Sequence, residues 1–287
     1  MWRWPVLVVC FAPLGAACSA GSGSLPASGV AAPAAVAGAK LPPVVYASNF
    51  LNGTIYAYRI SGSDKQPVQV IRGLESSIGF FVDRARHLYV SQQGKVLEFS
   101  TSGQQIRTYD DSAHDPLGVA KCPNGTLYAA NAEFNTISVY AHGSTTPTST
   151  IVDYGAQVFH LACDRKNDVF VTVGGKSGQV DEFPAGSTQP VNLPISLFFP
   201  EGIQADDAGD VVVANSASID FYHVGDSQPF KSIAVPGGAL ELAFERGDAQ
   251  VWETNGTNLL RYAVATGKLT KTISGSYFGG LATSPSD

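Results

Sequence analysis

At 287 residues the chain is long enough for one large all-β unit or for two smaller domains. Charged residues make up 15% of it, below the usual quarter, and Gly, Ser, Thr, Asn and Pro take their place, which suits short strands and tight turns rather than amphipathic helices. Its 24 acidic and 18 basic residues leave a net charge of −6 with no Lys/Arg run, so the clustered cations that nucleic-acid binding needs are missing.

The first segment, 1–18, reads as an export signal. Arg3 supplies the cation, and an apolar run of 13 residues follows from Pro5 to Ala17, too short to span a bilayer and of the right length for a signal-peptide core. The run ends in Leu14-Gly15-Ala16-Ala17-Cys18, a lipobox-like junction with the Leu one place further from the Cys than usual. Two readings stay open: lipidation at Cys18, or ordinary signal-peptidase cleavage near Ala17–Ala20. Residues 19–43 are rich in Gly, Ser, Ala and Pro, cannot bury a core, and fit a flexible tether. The expected address is the cell envelope, with the membrane touched only through the lipid; the alternative is a soluble periplasmic or secreted protein.

From residue 44 onward a repeat takes over. VYASN (45–49), LYVSQ (88–92), LYAAN (127–131), VFVTV (169–173), VVVAN (211–215) and VWETN (251–255) align without gaps at spacings of 43, 39, 42, 42 and 40 residues. A second apolar segment precedes five of them, starting at Phe80, Val119, Leu161, Ile203 and Leu242, with a polar turn between; a third strand and a looser fourth follow each. A four-strand unit recurring every 40 residues is the period of a propeller blade, and six units give six blades. The strand at Tyr46 has no such partner upstream, whereas LATS at Leu281 matches the pattern of LACD and LAFE. The C-terminal strand is therefore expected to complete the first blade and close the ring within 44–287.

The segments LYAANAEFNTISVYAHGSTTP (127–147) and PEGIQADDAGDVVVAN (200–215) resemble the repeats of NHL and YVTN-type bacterial propellers. The P-x-G-I-x-x-D-x-x-G pattern is also similar to that of gluconolactonase-like and virginiamycin-B-lyase-like propellers. The resemblance covers residues 44 to 287 and implies the fold, an all-β six-bladed β-propeller with four-stranded blades. It implies little about activity, since that fold hosts binding modules, hydrolases and lyases alike.

Metalloprotease, nucleophile-elbow, Walker and dinucleotide signatures are absent. The Asn-Gly-Thr triplets at Asn52, Asn124 and Asn255 read as hairpin turns, and Asp83, Asp164 and Asp206 as turn formers. Cys122 is the fourth residue of its inner strand and Cys163 the third of the next. This opposite parity makes them either face each other across one blade interface or point apart; a disulfide between them is the expectation adopted.

The residues preceding the inner strands are, in order, Gly79, Gly118, His160, Gly202, Glu241 and Gly280. Glycine suits backbones that crowd towards an axis, so the two ionisable exceptions stand out, with Glu201 one residue further out in the blade between them. Asn49, Asn131 and Asn215, ending second strands, should ring the same mouth. His160, Glu201, Glu241 and these asparagines are the candidate ligand-binding set, against the alternative of plain solvated loop residues; His114 and Asp115 lie further out. In the gluconolactonase-like family a Glu, an Asn and an Asp hold a divalent metal such as calcium. That set has no one-for-one match here, no Asp standing at an equivalent position. A virginiamycin-type lyase would want a His base near a metal, which makes His160 a candidate. The resulting expectation is a monomeric, non-enzymatic envelope propeller that binds a small molecule or an envelope protein through its funnel face. The alternative is a metal-dependent hydrolase, lactonase or lyase using the funnel.

Overall fold

In a computed structural model the described residues are 42–75, 78–152, 157–174, 178–277 and 279–284. The export segment 1–18, Cys18 and nearly all of the linker 19–43 lie outside them. The described chain forms six four-stranded antiparallel sheets with one short 3-10 turn, Phe50–Asn52. Each sheet is one blade, and the six form a β-propeller. The inner strands are Phe80–Val82, Pro116–Lys121, Val158–Cys163, Pro200–Ala205 and Glu241–Phe244 for blades two to six. The first blade is composite: Leu281–Thr283 pairs with Val44–Asn49 in the register Val45↔Thr283, Tyr46↔Ala282, Ala47↔Leu281. The Val44 amide donates to Ser284 Oγ at 2.8 Å, so the two ends of the chain seal the ring and leave no open sheet edge there.

Period-2 alternation explains why these strands hold together as a ring. Successive side chains of a second strand point to opposite faces of the blade. Tyr46 accordingly packs in a cluster with Phe80, Leu88 and Val90 of blade two, while its neighbours Val45 and Ala47 pack with Trp252 and Leu259 of blade six. The same split recurs around the ring: Val251 faces blade five with Val212 and Ile219, whereas Trp252 faces blade one. The core is therefore six wedges between blades, and each fully buried Val, Leu or Phe in a wedge contributes about 1.5–3 kcal/mol.

Hydroxyls reinforce the inner rim. The Gly79 amide donates to Ser91 Oγ at 2.7 Å, and that hydroxyl donates onward to the Leu117 carbonyl of the next blade at 2.7 Å. Thr172 repeats the device between His160 and the Glu201 carbonyl. On the lower face, where inner strands end, the aspartates serve as turn formers: Asp164 Oδ1 accepts the amides of Lys166 and Asp168, and Asp206 Oδ1 those of Ala208 and Asp210. Gly53, Gly125 and Gly256 of the Asn-Gly-Thr triplets all have positive φ, as hairpin turns require. Cys122 and Cys163 are joined in a disulfide across the wedge between blades three and four, with a Cα–Cα distance of 5.2 Å. Of the two orientations their parity left open, the facing one is present.

Candidate functional site at the upper mouth

One feature of the inner rim departs from the sequence reading. His160 and Glu201 do not precede their strands but lie inside them, because the chain pairs earlier, at Val158↔Val173 and Pro200↔Asn215, and then bulges before resuming at Leu161 and Ile203. A bulge inserts an extra residue and re-aims side chains, which the gapless alignment of the repeats could not register.

His160 and Glu201 on these bulges, with Glu241 in regular register opposite Thr254, put three ionisable groups at the upper mouth, the side on which inner strands begin. His160 Nε2 lies 2.9 Å from Glu241 Oε1, the two side chains being 8% and 12% exposed. The pair reaches over the intervening blade because Gly202 leaves room for it: a Cβ there would stand 2.7 Å from Glu241 Oε2. Gly118 serves the close approach of adjacent inner strands instead: a Cβ on it would come within 2.6 Å of the Phe159 carbonyl oxygen, as one on Gly79 would within 2.2 Å of the Leu117 carbonyl oxygen. Of these rim glycines, Gly202 is the one whose Cβ would meet the Glu241 carboxyl.

Burial on its own disfavours the His160 imidazolium, but the Glu241 charge and hydrogen bond, with the Glu201 charge, outweigh it and raise its proton affinity. Glu201 is pushed up to about 7, first by burial and further by Glu241, with His160 pulling back. Its backbone carbonyl is held by Thr172, whereas no described residue gives its carboxyl a hydrogen bond. Glu241 thus contacts the imidazole while Glu201 acts on it through its charge alone, and Glu201 stands near its midpoint at neutral pH.

The asparagines of the candidate set do other work. Asn49 Oδ1 accepts the Leu51 amide at 3.0 Å and caps the 3-10 turn. Asn131 Nδ2 donates to Ser138 Oγ at 2.9 Å. Asn215 Oδ1 accepts the Phe198 amide at 2.9 Å while its Nδ2 donates to Asp220 Oδ2 at 2.8 Å. They shape the loops of the mouth; the structure does not bring their side chains to the axial cluster. His114 belongs to a separate cluster, where its Nδ1 meets Asp111 Oδ1 at 2.9 Å and Ser138 Oγ donates to the same oxygen at 2.8 Å. The residue types are those of a hydrolytic triad but the arrangement is not. A relay needs His between Ser and Asp through its two nitrogens, and Ser138 is fully buried.

Sequence reading missed the rim of the mouth. The loops on this face carry Leu51 (71% exposed), Phe134 (51%), Phe198 (63%) and Phe199 (63%). Phe198 and Phe199 stack edge to face with centroids 4.7 Å apart, immediately ahead of Pro200-Glu201. The signal was present as the aromatic doublet Phe198-Phe199 before PEG. Among the described residues no three His, Cys, Asp or Glu side chains converge as a metal-holding group, and His160 Nε2 already meets Glu241.

No protein-family profile and no curated protein sequence matches the chain. Solved structures do match in fold. A chain of the nidogen–laminin complex superposes with a TM-score of 0.70 at 13% identity, over 84% of this chain and 98% of that one. A Bacteroides caccae protein of unknown function gives 0.67 at 14% identity, over 85% and 99%. Virginiamycin B lyase from Staphylococcus aureus gives 0.57 at 11% identity, over 79% of each chain. The protein is a six-bladed β-propeller, similar in fold to these chains, with a charged upper mouth rimmed by apolar loops.

Proposed function

We propose that this propeller is a binding module of the cell envelope, exported and tethered through Cys18, that takes its ligand or protein partner on the upper face. The observation that carries the reading is the exposed apolar rim of Leu51, Phe134, Phe198 and Phe199 set around the His160–Glu201–Glu241 cluster. Scattered exposed apolar residues are ordinary, but four on the loops of one face, around buried acid groups, suit a partner with an apolar body and a positively charged or hydrogen-bond-donating group. A propeller of the same fold in complex with a protein, as in the nidogen–laminin structure, supports a protein partner.

The test is a thermal-shift screen of hydrophobic amines and basic-aromatic peptides on wild type, on Phe198→Ser/Phe199→Ser and on Glu201→Gln. Hits should stabilise wild type by several degrees and lose that effect in both variants. Hits that survive both would remove the mouth from consideration. Anchoring is tested separately: Cys18→Ser should move the protein from the membrane to the soluble fraction.

A second reading, acid–base catalysis on an ester, lactone or cyclic depsipeptide with or without a divalent cation such as calcium, draws on one observation. A carboxyl held at about 7 beside a histidine has the proton affinity that general acid–base work favours. Turnover on such a panel, with and without added calcium and abolished in Glu201→Gln, would establish it over simple binding.

A further inference from the structure

A cavity of about 710 Å³ lies on the lower face, opposite the mouth, at the seam between blades one and six where the ring closes. Among the described residues its wall carries Lys65, Arg261 and Lys271 beside one carboxylate, Glu245, in a chain whose net charge is −6. Glu245 is already committed. Arg261 Nε and Nη2 donate to its two oxygens at 2.5 and 2.8 Å, and Trp252 Nε1 donates to it at 2.8 Å. Lys271 Nζ donates only to neutral carbonyls, those of Arg59 at 3.0 Å and Gly62 at 3.1 Å, which leaves one N–H unspent and its charge without a carboxylate partner. Arg261 and Lys271 each stand 5.9 Å from the Trp252 ring centroid, so two cations are held over one aromatic ring. Burial lowers the proton affinity of Lys271, and Arg261 lowers it further, with Asp64 and Glu245 opposing. Among the described residues Glu245 is committed to Arg261, which leaves Lys65 and Lys271 as cations of the wall that it does not pair.

We propose that this cavity binds a small oxyanion carrying two or more negative charges, of phosphate, sulfate or carboxylate type, bridging blades one and six. The volume fits the range of small-molecule sites and exceeds a lone phosphate, so an organic body is accommodated beside the charged group. Loop 60–65 and the start of the strand Lys268–Tyr277 come from the two blades that meet at closure. A ligand held by both fastens the ring at its seam, and ring stability should follow ligand concentration.

The experiment titrates the purified protein with inorganic pyrophosphate, sulfate and succinate at ionic strength held constant with sodium chloride, by calorimetry and by thermal unfolding. Saturable binding of at least one of these anions is expected. Lys65→Ala and Lys271→Gln should each weaken it by about tenfold, the worth of one charge-assisted contact, while Lys268→Ala, on the same strand but outside the cavity, should change it by less than roughly twofold. Lys65 stands exposed on its loop, so its loss tests binding without touching the core. The proposal is overturned by the absence of saturable binding for all three anions up to about 10 mM, or by binding that both cavity variants retain.

Discussion

Two buried polar clusters in this propeller use the same residue types to opposite ends. In blade two, Glu98 is 5% exposed and every approach to it is occupied: His87 Nδ1 stands at 2.7 Å, the Tyr109 hydroxyl donates at 3.0 Å and that of Tyr89 at 3.1 Å, with Arg107 at 3.6 Å. Lys121 of blade three reaches Asp83 at 3.1 Å and so joins the network to its neighbour. At the upper mouth, His160 and Glu241 share one contact, and the Glu201 carboxyl receives none from the described residues. A fully satisfied network rigidifies a fold, whereas a buried charge kept short of partners at an opening is where an outside group completes the set. On the reading proposed above, the first cluster serves structure and the second binding.

The largest expected effect comes from breaking the satisfied cluster. Glu98→Ala strips the acceptor from the buried Tyr109 hydroxyl and from His87, leaves Tyr89 with Asp83 alone as acceptor, and should cost about 3–5 kcal/mol in the urea midpoint analysis, the usual loss when one partner of a buried charged network is removed. A change below about 1 kcal/mol would mean the network is dispensable and would erase the distinction from the mouth.

The fold was legible in the sequence because a blade is a local unit repeated six times, so six weak strand signals reinforce one another. Ring closure was legible for the same reason, since LATS could be matched to other inner strands. His160 and Glu241 were visible only as exceptions to the glycine rule, and Glu201 only as the neighbour of Gly202 in the blade between them. Their meeting depends on bulges at Phe159–His160 and Glu201–Gly202, which shift register without leaving a residue-type signature. The role of Asn215 in holding the Phe198 loop, and the cavity between blades one and six, arise from contacts between segments far apart in the chain. Periodicity carries no record of those.

Next in size is a pH effect confined to the unsatisfied side. The proton affinity of Glu201 is raised on folding from 4.5 to about 7, so between those values the folded state holds more protons than the unfolded one. Its contribution is present below 4.5 and lost as pH rises through 7, at most about 3 kcal/mol. His160, raised above 6.5, acts with the same sign. Glu253 does too: both its oxygens lack a partner and burial pushes it up to about 9, only slightly opposed by the Leu240 amide, whose own hydrogen bond goes to the Thr254 carbonyl. Glu201→Gln should therefore flatten the stability profile between about pH 4.5 and 7 relative to wild type, and Glu253→Gln should flatten it up to about 9. Parallel profiles for wild type and Glu201→Gln in denaturant melts at pH 5, 6, 7 and 8 would show that the mouth carboxyl is solvated.

The smallest expected change is also the most discriminating. Glu241→Gln leaves His160 buried beside a neutral amide and should cost about 1–3 kcal/mol near pH 6, where the imidazolium is the favoured form. Removing both partners in His160→Gly/Glu241→Gly extends the glycine pattern of Gly79, Gly118, Gly202 and Gly280 to the whole rim, and leaves neither charge to desolvate. The double variant should then lie within about 1 kcal/mol of wild type, most of the difference being glycine backbone entropy. The non-additivity matters more than either number, because a pair in contact whose joint removal is nearly neutral contributes little to the fold. If instead the double variant loses more than the single one, the pair is a structural tie like Glu98. If it melts like wild type yet no longer responds to the mouth's ligands, the charges at the axis serve binding, and the rim of Phe198 and Phe199 above them is the surface to which the partner's apolar body is fitted.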